Sequence, residues 1–306
     1  MKIAIIGRTE MLYDAALRLR AAGHQIICIL TAREAPEYIR TTADFRALAD
    51  TWQIPFIQGG PIAEHLVFLR DVLADIAVSI NYPGVIPQSV IDLFPLGVLN
   101  AHGGDLPRYR GNACQAWAII NGEENIGLCI HRMVGGELDS GDIIARDYLA
   151  IDHTTKITSV WEWMSLRTPE LMLKAVQMLE ENPRYTLEEQ SKDPTRALRC
   201  YPRKPEDGRI NWNKPAIDIL RLVNATNRPY AGAFCEFEGR SLIIWDAELV
   251  QDYEVFCAIP GQITKIGNGY IEVACGSGKL RCLKVQLLSD IVSPDSFIWS
   301  VRQRLT

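Results

Sequence analysis

The sequence predicts an α/β protein with a Rossmann-like, mainly parallel sheet, followed by a smaller, mostly-β domain with a barrel-like arrangement. Short apolar runs alternate with amphipathic stretches over residues 1–134, and that alternation is typical of a parallel sheet covered by helices. Residues 186–209 are polar and contain prolines, as linkers do. We therefore expect an N-terminal domain over residues 1–190, a linker over 191–206 and a C-terminal domain over 207–306.

The elements of the N-terminal domain follow from apolar spacing. Leu12, Ala15 and Leu19 share one face of a helix that Gly23 ends, and Asn112 can cap a later helix that Gly122 stops. Strands are predicted at Lys2–Gly7, Gln25–Thr31, Ile54–Gln58, Ile76–Ile80, Val98–His102, Ile126–Val134 and Ile143–Ala150. Helices are predicted over residues 10–22, 41–52, 64–73, 112–122 and 155–181.

The C-terminal domain is predicted to contain one helix, near residues 215–226, and a series of short strands. Turn sequences such as Gly267-Asn268-Gly269 separate the strands, and this spacing is typical of a small antiparallel barrel. The strands are predicted at Ala233–Glu238, Ser241–Trp245, Gly261–Ile266, Tyr270–Ala274 and Leu280–Leu288.

Composition narrows the class of protein. The chain of 306 residues has a formal net charge of −5, so binding to a polyanion is not favoured overall. Residues 1–190 hold 16 Lys/Arg against 24 Asp/Glu, whereas residues 191–306 hold 16 against 13 and are mildly basic. Eight scattered cysteines form no CxxC pair, which favours free thiols in a reducing cytosol over zinc ligands or disulfides. The apolar runs are too short for a signal peptide or a membrane span, so we expect a cytoplasmic protein without a membrane partner.

The most informative residues are Asn100, His102 and Asp139. Asn100 and His102 stand two apart at the end of an apolar run, so both project from the same side of a strand. Asp139 follows about 40 residues later in a glycine-flanked acidic loop that can fold back onto the strand end. An amide, an imidazole and a carboxylate can together polarise a carbonyl and move a proton, which is the chemistry of acyl transfer.

Each of these residues also has an ordinary structural explanation. Asn100 and Asp139 could serve turns, and His102 could be a satisfied loop histidine. The glycines at positions 103, 104, 136 and 141 change the balance, because they bring backbone close to a ligand or permit positive φ. Taken together, the set favours a functional site.

Four longer segments carry a resemblance to a known family. Asn-x-His followed by Leu-Pro-x-Tyr-Arg-Gly, over residues 100–111, and Asp-Ser-Gly-Asp-Ile, over residues 139–143, resemble the folate-dependent formyltransferases. Residues 200–212 and 228–234 resemble the opening and a later segment of the second domain in that family. The resemblance spans essentially the whole chain. One departure lies in the loop after His102, which reads Gly-Gly-Asp rather than the commoner Gly/Ala-Ser-Leu.

The resemblance implies a role for each residue of the set. Asn100 would hold the formyl oxygen as negative charge develops on it. His102 would accept a proton from the attacking amine or pass it on, and Asp139 would orient and charge-stabilise His102 or relay the proton through water. The co-substrate would be 10-formyltetrahydrofolate, with no metal. Residues implied to hold its pterin are Tyr82, Gly84, Val85, Ile86, Val134, Gly135 and Gly136.

The acceptor would bind near the first strand and near the loop after His102. Arg8 and Thr9 follow the first strand without a GxGxxG pattern, so a dinucleotide is disfavoured, and in the family this loop lies near the acceptor. Arg108, Tyr109 and Arg110 could contact a phosphorylated acceptor or could form a solvated basic loop. Both interpretations are open for these residues.

The resemblance is strongest to the branch that formylates nucleotide-linked amino sugars, such as UDP-4-amino-4-deoxy-L-arabinose, for surface polysaccharides. Asn112 stands where that enzyme has an arginine after the Arg-Gly pair, so a different sugar is compatible. Methionyl-tRNA formyltransferase is the alternative, but we do not expect nucleic acid as a partner, because no dense basic run is present. The resemblance leaves room for a homodimer. A non-catalytic binding protein on the same scaffold is the rival class, and the intact set Asn100, His102 and Asp139 argues against it.

Overall fold

The structure, a computed structural model, describes residues 1–252 and 254–306. The described chain divides into two compact units. The first unit comprises Met1–Cys114, Ile126–Leu149 and Trp161–Cys200, and the second comprises Gln115–Asn125, Ala150–Val160 and Tyr201–Thr306. The chain therefore passes between the units several times. The domain boundaries expected from the sequence, with a linker over residues 191–206, remain a prediction.

A seven-stranded sheet organises the first unit. The strands of the first half of the chain are β1 (Lys2–Gly7), β2 (Gln25–Thr31), β3 (Phe56–Gln58), β4 (Ile76–Ile80), β5 (Val98–His102), β6 (Arg110–Gly111), β7 (Asn125–Arg132) and β8 (Ile143–Ala150). The spatial order in the sheet is β3-β2-β1-β4-β5-β7-β8. Neighbours from β3 to β5 run parallel, and β7 runs antiparallel to β5. The predicted Rossmann-like, mainly parallel sheet is confirmed.

Seven α-helices accompany the strands in the part of the chain that the structure describes. They are α1 (Glu10–Ala21), α2 (Thr42–Trp52), α3 (Leu66–Asp71), α4 (Gln88–Ile91), α5 (Cys114–Asn121), α6 (Ile157–Glu181) and α7 (Ala216–Ala225). A capping box between Thr41 and Asp44 starts α2. The helix predicted over residues 64–73 is shorter than expected, because its first part, Ile62–His65, is a 3-10 turn. The one-turn helix α4 was not predicted, since four residues carry no helical periodicity.

The second unit is a small antiparallel β structure with α7 packed on it. β9 (Arg199–Cys200) pairs with β6 in the first unit. The strands of the second unit are β10 (Ala233–Phe237), β11 (Arg240–Leu249), β12 (Ile263–Gly267), β13 (Tyr270–Ala274), β14 (Lys279–Leu287) and β15 (Asp290–Val292). β10 to β14 form a sheet in the order β10-β11-β14-β13-β12, with β15 added to β14. The C-terminal segment bridges both edges of this sheet, through Phe237 to Leu305 and Gln262 to Arg304. The smaller, mostly-β domain is therefore confirmed, with both edges covered as in a barrel.

The core of the second unit lies between α7 and the sheet. Ile219, Leu220 and Val223 on one face of α7 are buried together with Ile244 and Val285 of the strands. The spacing of the three helix residues is that of an amphipathic helix. Within the described residues, we found no helix with the length and apolar character needed to cross a bilayer.

The close approach of the central strands β1 and β4 depends on Gly7, the last residue of β1. Gly7 has a φ of 132°, and a Cβ at this position would overlap the carbonyl oxygen of Ile80 on β4. Gly23, which follows α1, has a φ of 93° with open space around it. A substitution of Gly23 thus introduces backbone strain alone, whereas a substitution of Gly7 introduces both backbone strain and steric overlap.

We expect Gly7→Ala to lower the free energy of unfolding more than Gly23→Ala does. Positive φ costs a residue with a Cβ about 1–2 kcal/mol in either variant, and overpacking adds about 1–3 kcal/mol at position 7 alone. Urea denaturation followed by circular dichroism measures the difference. Equal midpoints for the two variants would contradict the close approach of β1 and β4.

Candidate active site

Asn100 and His102 lie at the carboxyl end of β5, where parallel strands deliver ligand-binding residues. Asn100 is half-buried and His102 is buried. Across the antiparallel β5–β7 pair, Asn100 faces His131 and His102 faces Cys129. The strand alternation predicted from the sequence therefore places the amide and the imidazole on one face.

Asp139 lies in the loop between β7 and β8, within reach of both histidines. Its Oδ2 is 3.5 Å from Nδ1 of His102, and its Oδ1 is 3.4 Å from Nε2 of His131. The backbone N–H of Gly111 donates to Oδ2 at 2.9 Å. The φ of Asp139 is 48°, a left-handed conformation that Asp and Asn tolerate better than most residues. The structure thus brings Asn100, His102 and Asp139 together.

The charge of Asp139 is stabilised although the side chain is only 11% exposed. Burial opposes ionisation, but the neighbouring ring of His102 and the N–H of Gly111 hold the pKa of Asp139 well below its usual range. Asp139 is therefore a carboxylate at any pH near neutrality. It provides a fixed negative charge beside His102.

The two nitrogens of His102 have different partners. Nε2 lies 2.6 Å from the carbonyl oxygen of Tyr109, and because a carbonyl only accepts, Nε2 carries a hydrogen and donates it. Nδ1 faces Asp139. Gly104 makes this arrangement possible, because a Cβ there would overlap both the Tyr109 carbonyl oxygen and the His102 ring.

His131 is a fourth member of the site that sequence reasoning did not single out. Its Nδ1 donates to the carbonyl oxygen of Arg132 at 2.8 Å, so in the neutral ring Nε2 is an acceptor. Asn100 Nδ2 lies 3.2 Å from that Nε2 and donates to it. This bond selects the orientation of the Asn100 amide and leaves its second N–H for another acceptor. One signal in the sequence could have indicated it. His131 and Arg132 are a polar pair at the end of an apolar strand, directly before the acidic loop.

Gln190 holds the acidic loop from the other side. Its Nε2 donates to the carbonyl oxygens of Asp139, at 2.9 Å, and of Gly141, at 2.6 Å. Its Oε1 accepts from Arg110 at 2.8 Å. Gln190 is buried at the end of the region expected to form the N-terminal domain, and no local pattern marked it.

The two segments expected to hold the pterin lie together in the first unit. The N–H of Gly135 donates to Oε1 of Gln88 at 2.8 Å, and Gln88 follows the segment of residues 82–86. Val85 is 77% exposed and Val134 is 36% exposed, and Tyr82 is half-buried. Positive φ at Gly136 and the close approach of Gly84 to Tyr82 shape the same region, while Ile86 is in the core. The assignment of these residues to folate remains a prediction.

The residues expected to bind the acceptor fall into two groups. Arg8 donates from Nε to the Asn81 carbonyl oxygen, at 3.0 Å, and from Nη1 to that of Arg33, at 2.7 Å. Thr9 is fully buried with a φ of 91°.

In the second group, Arg108 is exposed, Tyr109 is 2% exposed and Arg110 is half-buried. The backbone carbonyl of Tyr109, rather than its ring, reaches His102. Roles in acceptor binding remain predictions for all five residues. Among the residues described, no three His, Cys, Asp or Glu side chains form a cluster that could hold a metal ion.

Sequence comparisons identify the class of protein. Residues 1–176 match the family "Formyl transferase", and residues 203–301 match "Formyl transferase, C-terminal domain". The chain therefore belongs to the formyl transferase family. It is an N-formyltransferase, with a formyl-tetrahydrofolate as the co-substrate.

Two curated relatives are methionyl-tRNA formyltransferases. The protein from Solibacter usitatus is 30% identical over 291 residues, covering 94% of this chain and 91% of the relative. The protein from Agathobacter rectalis is 28% identical over 295 residues, covering 94% and 92%.

Solved structures with the same fold include enzymes of another branch. WlaRD, a sugar 3N-formyltransferase solved with dTDP and 5-N-formyl-THF, superposes with a TM-score of 0.68 at 17% identity, covering 95% of this chain and 98% of that one. An N-formyltransferase from Helicobacter canadensis, in complex with folinic acid and dTDP-3-aminofucose, gives 0.70 at 14% identity, covering 92% and 99%. At these identities the similarity shows the fold.

We expect Asp139→Asn to make the free energy of unfolding depend less on pH below about pH 4. Because the pKa of Asp139 is lowered in the folded state, its charge adds stability above the ordinary pKa near 3.8, and that stability is lost as the pH falls below it. Asn keeps the shape and tolerates the left-handed φ. Urea midpoints measured between pH 3 and pH 7 should fall less steeply below pH 4 in the variant than in the wild type. Exposed Asp71, changed to Asn, is the control and should follow the wild-type profile.

We expect His131→Gln to lower kcat and to leave the KM for the formyl donor little changed. The ring orients Asn100 and contacts Asp139, and misplacing a catalytic group by about 1 Å costs on the order of 10²-fold in rate. Exposed His153→Gln is the matched control and should leave kcat unchanged. A His131 variant with wild-type kcat would remove His131 from the site.

Proposed function

We propose that this enzyme transfers the formyl group of 10-formyltetrahydrofolate to the amine of a nucleotide-linked amino sugar. The observation that carries the proposal is the meeting of Asn100, His102 and Asp139 at the carboxyl end of β5. Amide, imidazole and carboxylate are the groups that acyl transfer to an amine requires.

The reaction breaks one C–N bond and forms another. The amine nitrogen of the acceptor attacks the formyl carbon, and the carbonyl oxygen gains negative charge in the tetrahedral intermediate. The bond from that carbon to N10 of the folate then breaks. The amine loses one proton and N10 gains one, so the products are an N-formyl sugar and tetrahydrofolate, and no external oxidant or reductant is needed.

Asn100 is the proposed donor to the developing oxyanion. One N–H of its Nδ2 is directed to His131 Nε2 at 3.2 Å, and the second N–H is available for the formyl oxygen. A donor that is already oriented before the charge develops stabilises the transition state without reorganisation. Removing one such donor typically costs roughly 10²–10³-fold in rate.

His102 and Asp139 are the proposed proton-handling pair. The carboxylate of Asp139, 3.5 Å from Nδ1, can accept a hydrogen bond from that nitrogen and keep the hydrogen there when Nε2 gives up its own, so that Nε2 can then take a proton from the amine. The Nε2 of His102, held by the Tyr109 carbonyl in this structure, is the nitrogen that can exchange a hydrogen bond or a proton with the reacting groups. Positioned proton transfer of this kind contributes roughly 10²–10⁴-fold.

The charges of this chain favour a nucleotide-linked sugar over a tRNA as the acceptor. A tRNA complex needs several phosphate contacts from Lys and Arg. Several cations of the second unit are instead engaged by carboxylates: Lys279 is 3% exposed and contacts Asp252 and Glu254, and Arg281 contacts Glu248. A nucleotide-linked sugar needs few cations for its diphosphate, and Arg108 and Arg110 beside the site are the proposed source.

The second candidate is Met-tRNA as the acceptor. It is favoured by the curated relatives, which are methionyl-tRNA formyltransferases at 28–30% identity over 94% of this chain. The excess of cations over anions in residues 191–306, 16 against 13, agrees with it. The chemistry at Asn100, His102 and Asp139 is the same for both acceptors.

We expect the purified enzyme to add one formyl group to a nucleotide-linked amino sugar. The test offers 10-formyltetrahydrofolate with UDP-, dTDP- and GDP-amino sugars, and separately with Met-tRNA, and detects the formyl group by mass spectrometry. Asn100→Ala and His102→Ala should lose roughly 10²–10⁴-fold in kcat, while His153→Gln should not.

The outcomes separate the two acceptors. If Met-tRNA is formylated efficiently and every sugar remains unmodified, the second candidate replaces the first. Wild-type turnover in the His102 variant would reject the assignment of the site whichever acceptor is used.

A further inference from the structure

Arg146, on β8, is engaged far more extensively than a surface arginine. Its Nη1 donates to Oδ1 of Asp105 at 2.9 Å, and its Nη2 donates to the carbonyl oxygen of Leu106 at 2.6 Å. Tyr148 joins the cluster, because its hydroxyl lies 2.6 Å from Nη1 of Arg146 and donates to Asp105 at 2.9 Å. Glu188 lies 3.1 Å from Nη2. We call Arg146, Asp105 and Tyr148 with the Leu106 carbonyl the Arg146 clamp.

The Arg146 clamp holds the loop that follows His102, residues 103–109, through hydrogen bonds to Asp105 and to the Leu106 carbonyl. The side chain of Leu106 packs with Cys129 of β7 and Ile143 of β8. The backbone at Asp105 lies against Gly127, where any Cβ would approach the Asp105 Cα to 2.7 Å. The loop is therefore fixed by a guanidinium on one side and by β7 on the other.

The far end of this loop touches the catalytic imidazole. Tyr109 has a φ of 51° and a buried ring, and its carbonyl oxygen accepts from His102 Nε2 at 2.6 Å. A buried residue in the left-handed region holds that position only when its surroundings determine it. The position of the Tyr109 carbonyl thus depends on how firmly the loop is held.

We propose that Arg146 is a positioning residue for formyl transfer, acting through Asp105 and the loop 103–109 on the Nε2 of His102. The inference rests on the proposed function, because His102 must be part of the chemistry. Asp105, where this loop departs from the commoner family sequence, pairs with Arg146. The Arg146 side chain is 13% exposed, and its planar guanidinium presents a fork of donors that suits a carboxylate.

Arg146→Met and Asp105→Asn test the clamp. Both should lower kcat by roughly 10-fold to 10²-fold, with the KM of the formyl donor little changed. Arg167→Met is the matched control, since Arg167 pairs with Asp147, the next residue of the same strand, and is itself 42% exposed. That variant should keep the wild-type kcat.

The decisive readout is the ¹⁵N NMR signal of the His102 ring in ligand-free protein. In the wild type we expect Nε2 to appear protonated and hydrogen-bonded, and in both clamp variants we expect that signal to move toward the free-ring position. Tyr148→Phe, which removes one hydroxyl, should give a smaller change in the same direction and remains informative if Arg146→Met does not fold.

The result also distinguishes this inference from the proposed function. Unchanged His102 signals in folded Asp105→Asn protein would overturn the positioning role, whatever the activity. If the signals shift but the wild type formylates no acceptor, the loop does hold His102, but Arg146 is not a positioning residue for formyl transfer and the proposed function also falls. A lower kcat with unchanged ring signals would likewise overturn the proposal, because Arg146 would then affect turnover without acting on His102.

Discussion

The buried carboxylate of Asp139 is the interaction on which the site depends. Water is largely excluded from it, so its charge must be stabilised by neighbours. The ring of His102 and the backbone N–H of Gly111 lie against Oδ2, and the ring of His131 lies against Oδ1. Each neighbour comes from a different stretch of chain: His102 from β5, His131 from β7 and Gly111 from β6. One negative charge therefore aligns three elements and gives the loop between β7 and β8 a defined conformation.

The sequence revealed the parts of the site that are close together in the chain or follow a repeating pattern. Asn100 and His102 are two apart on a strand, and strand alternation alone puts them on one face. The sheet was predictable for the same reason, because β1, β2 and β4 are apolar runs bounded by glycines and polar residues. The place of Asp139 came from a motif, with glycines that permit the chain to turn.

The supporting residues were not predictable in the same way. His131, Gln190 and Arg146 act across sequence separations of 31, 51 and 41 residues, and no local period encodes such pairings. Their functions depend on register: a shift of β7 by one residue would turn His131 away from Asn100. Short elements such as α4 were missed for a related reason, since tertiary contacts rather than propensity hold a single helical turn.

The repeated passage of the chain between its two units has a consequence for modular exchange within this family. Residues 115–125 and 150–160 group with the second unit although they are encoded ahead of residues 161–200, which group with the first. Recombination at one point in the gene would therefore leave at least one unit assembled from two parents. A crossover after residue 200, for example, would place buried residues such as Ile119 and Ile157 in a second unit whose remaining residues come from another chain. Inheritance of the whole chain as one block is the simplest way to preserve both units.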